Sequence, residues 1–239
     1  HPATNANTMR GYLTVLRQYS AHLYKHKLIP ADPFILIKMP RVPQPIRRQL
    51  NIEQARVLLE YMPTDQHSYA VCLRNQAIFA VMILGGLRIG EAVALRVMDI
   101  RENEIQITSG KGGKGRTVPL LPRCAAILAA YRPALGYWHG RDIPPYAWLF
   151  PNHRDAGTHI TTTKATEWFH LYVKALGFEG ITSHACRHLY ATTLHRNGAR
   201  LNDIKDLLGH ANLQSTQIYM HSTATEITAA AALHPLAHI

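Results

Sequence analysis

Apolar positions recur along most of this chain at alternating steps of three and four, the period of an amphipathic helix. Met9, Tyr12, Leu13, Leu16, Tyr19 and Leu23 set this rhythm first and predict a helix from about Thr8 to Lys25. One such helix needs a packing partner. Asn51 followed by Gln54 reads as a capping box opening a helix to about Tyr61. Ala77, Ile78, Val81 and Met82 mark a buried helix ending at Gly85-Gly86. From Pro122 onward further helices are expected near Cys124–Tyr131, Thr163–Leu176, His184–Asn197, Asn202–Leu208, Ser215–His221 and Glu226–Leu233, with Gly198 and Gly209 at C-cap positions.

Two segments break the helical period. Glu104–Thr108 alternates polar and apolar, and Arg116–Leu120 is a second short strand. The glycine-rich stretch Gly110–Gly115 between them makes a hairpin with a basic tip. Pro30, Pro33, Pro40, Pro43 and Pro45, interleaved with Arg41, Arg47 and Arg48, read as an extended basic linker over 29–48. The expected organisation is a helix within 1–28, that linker, and a main domain over 49–239. The fold class is mainly α with a small antiparallel β-hairpin, an α+β arrangement.

Composition narrows the class of partner. The chain has 239 residues, 47% of them hydrophobic, enough for a substantial core. Its 26 Lys and Arg against 15 Asp and Glu give +11 with His neutral, which points to a polyanion, nucleic acid first. A merely basic protein has the same excess. Three scattered cysteines without a C-x-x-C pair suggest neither a disulfide framework nor a cysteine zinc site, and fit a reducing cytoplasm. No run of 18 uncharged apolar residues argues for a membrane span, and the start shows no signal-peptide pattern. A first residue of His in place of Met suggests a fragment with material upstream.

Four local motifs carry candidate chemistry. Gly85-Gly86-Leu87-Arg88 delivers an arginine at a helix start, with Glu91 three residues on to hold the guanidinium; a surface ion pair would look the same. In His184-Ala185-Cys186-Arg187-His188 the spacing puts His184 and Arg187 on one helix face, able to bind and protonate one phosphate. His184 and His188 at i, i+4 also suit zinc, but the glutamate of H-E-x-x-H is absent. The third motif is Leu207-Leu208-Gly209-His210, followed nine residues later by Tyr219, which would ordinarily be a core tyrosine. The fourth is the hairpin tip with Lys111, Lys114 and Arg116, which as a loop could equally be merely solvated.

Taken in order, Arg88, Lys111, His184, Arg187, His210 and Tyr219 resemble the signature of the tyrosine recombinase or phage integrase family, which includes the Xer and Cre recombinases. The likeness spans about Asn51 to His221 and is densest in His184–Tyr190 and Leu207–His221. It implies a site-specific recombinase that cleaves and rejoins DNA strands through a 3′-phosphotyrosyl intermediate, without metal, cofactor or ATP. Arg88 and Arg187 would clamp the phosphate, Lys111 would be the hairpin lysine with Lys114 as its rival, and His184 and His210 would be the two histidines. Tyr219 would be the nucleophile. Glu91 and His188 would support the site, and Arg41, Arg47, Arg48, Lys114 and Arg116 would contact DNA. Cys186 and Ser215 depart from the family's usual leucine and threonine, which touches only local packing.

The same resemblance makes 1–28 the last helix of a truncated core-binding domain. It implies double-stranded DNA as partner, a homotetramer on two DNA sites joined through 226–239, and accessory DNA-bending proteins. The expected setting is the bacterial nucleoid or a phage-infected cell, with a mobile genetic element as one possible source. A type IB topoisomerase would use similar chemistry on one duplex, and a non-catalytic DNA-binding regulator would share the basic charge.

Overall fold

The computed structural model describes residues 6–40, 48–63, 68–108 and 115–209, the side chain of residue 7 excepted. The chain divides into two compact units, His1–Ile46 and Arg47–Ile239. In the first, α1 spans Ala6–Lys25 and leaves Tyr12, Val15 and Tyr19 exposed. The proline-containing segment after it begins with a turn, not an extended strand, because the Asp32 carboxylate accepts from the Phe34 amide at 2.9 Å and from the Ser20 hydroxyl. Lys27 takes a positive φ of 56° where the chain leaves α1.

The second unit is built around one buried helix. α2 (Ile52–Glu60) opens on Asn51, whose side chain accepts from the Gln54 amide at 2.8 Å while Gln54 reaches back to the Asn51 amide. α3 (Tyr69–Leu84) is apolar on nearly every face and is buried from Val71 to Asn75 and from Ala77 to Ile83. A helix without a polar face must be enclosed, and α2, α4 (Ile89–Val93), α5 (Pro122–Tyr131), α7 (Thr162–Ala175) and α8 (His184–Arg196) all pack against it. Phe79 at its centre meets Phe169 and Tyr172 edge-on, with ring centroids 5.4 Å and 5.1 Å apart. Edge-to-face contacts of this kind add about 0.5–1.5 kcal/mol each beyond the area buried.

β1 (Glu104–Ile107) and β2 (Arg116–Pro119) pair antiparallel, with Ile105 opposite Val118. Both of those side chains are fully buried, so the alternation fixes which face meets the core. A 3₁₀ turn at Val97–Asp99, another at Arg132–Leu135 and the short α6 (Gly136–His139) were not visible in the hydrophobic period. α9 (Leu201–Leu208) closes the described residues, packing Ile204 and Leu208 against Ala191 of α8. The expected helices at 215–221 and 226–233 lie outside them.

Candidate active site

The α3–α4 connection follows from two glycines. Gly85 ends α3, its amide still bonded to the Val81 carbonyl at 3.1 Å, and Gly86 turns the chain at a φ of 66°. A β-carbon at Gly86 would lie 2.5 Å from the Tyr190 ring, so both the backbone and the space demand glycine. Leu87 then plugs into the core, and Arg88, in extended conformation, becomes the residue preceding the first turn of α4.

Glu91 closes that turn and does more than cap it. Its carboxylate accepts from the Arg88 amide at 2.9 Å and from the Arg88 guanidinium at 2.8 Å. On the same two oxygens it receives the fork of Arg116, Nη1 at 3.0 Å and Nη2 at 2.7 Å. Arg187 Nη1 stands 3.9 Å away. A carboxylate offers about four acceptor positions, and these are filled. Burial alone pushes the Glu91 pKa up, but the hydrogen bonds from Arg116 and from the Arg88 amide, with the Arg116 charge, outweigh it and hold the group at about 2.

The other ends of the two buried arginines grip α9. Arg116 Nε donates to the Leu207 carbonyl at 2.8 Å. Arg187 donates to the Leu208 carbonyl, and its Nη1 to the Gly86 carbonyl at 2.9 Å. The last carbonyls of a helix have no partner within it and carry the negative end of its dipole, so guanidinium donors suit them. Gly209 then leaves α9 in the left-handed region, where a β-carbon would come 3.0 Å from the Arg116 guanidinium.

The structure therefore brings Arg88, Glu91, Arg116 and Arg187 into one cluster, with side-chain exposures of 35%, 6%, 10% and 4%. Of the four side chains only that of Arg88 is appreciably exposed. Arg116 sits at the base of β2, its side chain turned inward onto Glu91. His184 is exposed at the first residue of α8, one turn before Arg187, and His188 is half-buried on the next turn. Arg48 is exposed, with its alkyl stem beside Gly180. Lys111, Lys114, His210, Tyr219, Arg41 and Arg47 fall outside the described residues. Among the described residues no group of three His, Cys, Asp or Glu side chains is placed to hold a metal, and no helix is long and apolar enough to cross a membrane.

This arrangement of helices around a two-stranded hairpin is the catalytic-domain fold of tyrosine recombinases. The XerH recombinase bound to palindromic difH substrate in a post-cleavage complex superposes with a TM-score of 0.74 at 23% identity, covering 96% of this chain and 68% of that one. The Tn1549 transposon integrase in complex with circular intermediate DNA superposes at 0.77 with 18% identity, covering 96% and 79%. In sequence, the tyrosine recombinase XerD of Proteus mirabilis is 34% identical over 224 residues, 90% of this chain and 67% of that protein. XerC of Myxococcus xanthus is 33% identical over 216 residues, 88% and 70%. The phage integrase family model matches residues 48–226.

The chain belongs to the phage integrase family of tyrosine recombinases, enzymes of site-specific DNA recombination that cleave and rejoin DNA.

Proposed function

We propose that the cluster around Glu91 is the phosphate seat of the cleavage reaction. The observation that carries this reading is a convergence: three guanidiniums, from Arg88, Arg116 and Arg187, gather at the Glu91 carboxylate in a largely buried place. A phosphodiester arriving at Arg88, the most exposed of the three, meets cations already held in a fixed arrangement. Arginine forks suit the nonbridging oxygens, whose charge grows in the transition state.

In this reading Arg88 and Arg187 act on the scissile phosphate, with His184 beside them on α8. The Tyr219 hydroxyl attacks phosphorus as its proton passes to His184, and the bond to the 5′-oxygen breaks while Lys111 supplies that oxygen with a proton. His210 bonds a phosphate oxygen. The new phosphotyrosyl bond keeps the energy of the one it replaced, so a 5′-hydroxyl can reverse the step without a nucleotide. The test is a library of nicked duplexes with randomised arms, from which covalent adducts are recovered and sequenced. Tyr219→Phe should bind DNA and form no adduct; an adduct that survives the change overturns the assignment.

We further propose that the enzyme works in the cytoplasm as a tetramer on two DNA sites, with 226–239 of one copy on its neighbour. An apolar cavity of about 530 Å³ between α2, α3 and α8, lined by Ile52, Leu59, Ile83, Leu84, Leu189 and Leu194, offers a receptor. Removing 226–239 should abolish the paired-site complex and spare binding to one site. Loss of single-site binding and folding together would instead mean docking within one copy.

A further inference from the structure

We infer that Arg116 is a positioning residue for DNA cleavage, acting through the end of α9, and not a DNA contact. Each of its three guanidinium nitrogens is already engaged, two on Glu91 and Nε on the Leu207 carbonyl, and its side chain is 10% exposed. A DNA phosphate would have to displace a bidentate carboxylate to reach it. Lysine cannot substitute, since one ammonium lacks the fixed fork that spans two oxygens and a carbonyl.

Its place in the chain gives the bond its consequence. Arg116 is the first residue of β2, a few residues after Lys111 and Lys114 in the sequence. Leu207, its other partner, stands three residues before His210, and Gly209 lies directly against the guanidinium. One side chain thus ties the base of the lysine hairpin to the backbone from which His210 departs. Glu91 ties both to Arg88. β2 and the end of α9 share an anchor, so an error at Arg116 is felt as misplacement of the reacting groups that precede and follow them in the chain. Displacements of about 1 Å in such groups cost roughly a hundredfold in rate.

The inference rests on the proposed role of His210, and the experiment separates the two. Arg116→Lys is compared with the parent chain for affinity across a salt series and for single-turnover adduct formation on a recovered nicked substrate, each alone and with His210→Ala. The expected result is unchanged affinity and salt slope, a loss of about ten- to a hundredfold in adduct rate, and no additional loss when His210 is already alanine. Gly209→Ala, which pushes on the guanidinium while leaving its charge, should reproduce the loss and fail to add to it. A salt slope lower by about one at unchanged saturating rate would restore the DNA-contact reading. Equal losses with and without His210 would reduce Arg116 to a structural residue and overturn the inference. If His210→Ala alone leaves the rate intact, the role of His210 falls, and the inference with it; an adduct persisting in Tyr219→Phe strikes the nucleophile assignment alone.

Discussion

The Glu91 carboxylate receives the Arg116 guanidinium fork end-on, Nη2 to Oε2 at 2.7 Å, while its other oxygen holds Arg88 at 2.8 Å. One acidic group therefore organises cations from α4 and β2, with a third from α8 nearby. Removing it leaves them facing each other. Glu91→Ala should destabilise the fold by about 3–5 kcal/mol, as for other buried pairs broken on one side, and lower the melting temperature by roughly 6–20 °C for a domain of this size. Calorimetry or thermal circular dichroism checks this; a shift under a degree would mean the carboxylate is dispensable.

Glu91 also sets an acid limit. Its pKa is about 2 in the folded chain against an ordinary 4.5, so the unfolded state binds the proton first as pH falls. The stabilisation is complete above about pH 4.5 and is lost progressively toward pH 2, amounting to about 3 kcal/mol. Urea unfolding followed from pH 6 to pH 3 should show the decline begin in that window. The same series on Glu91→Gln should be flatter; parallel curves would place the acid sensitivity elsewhere.

Gly86→Ala tests the turn that presents Arg88. The new methyl meets the Tyr190 ring at 2.5 Å and forces alanine into a positive φ. A loss of about 1–3 kcal/mol is expected from the backbone strain alone, with the clash against the ring added to it. Pairing it with Tyr190→Ala should recover the steric part and leave the strain, as measured by denaturant titration.

Asn51→Ala supplies a contrast. It removes a side-chain acceptor 2.8 Å from the Gln54 amide, far in sequence from the cluster. It should cost about 1 kcal/mol and leave adduct formation unchanged within twofold.

Much of this architecture was legible because it is local. Asn51 with Gln54, Gly85 at the end of α3 and Gly209 after α9 each announce a cap within a few residues, and the strands at 104–107 and 116–119 follow from alternation. The 3₁₀ turn at 97–99 was not, since its first two amides, of Val97 and Met98, are taken by the carbonyls of Ala147 and Pro145, some fifty residues on. Glu91 as the support of Arg88 was readable from a spacing of three. The Glu91 and Leu207 partners of Arg116 lie 25 and 91 residues away, and no local pattern encodes them.

The thiols offer an inexpensive check on the core. Cys72, Cys124 and Cys186 are all buried and unpaired, and burial pushes the Cys124 thiol up to about 12. None should react with an aromatic disulfide reagent in the folded protein, and all three should react in denaturant. Fast labelling of any of them under native conditions would contradict the packing described.

Five helices pack on α3 and bury it from Val71 to Asn75 and from Ala77 to Ile83, so no small fluctuation uncovers that stretch. Its amide protons should exchange with solvent only when the whole second unit unfolds, the slowest class in the molecule. The loop that bears Arg88 grows directly from that helix at Gly85. The arginine is thus fixed to the element that is last to open, and its readiness for a phosphate persists through the breathing that frees helix ends and loop tips elsewhere.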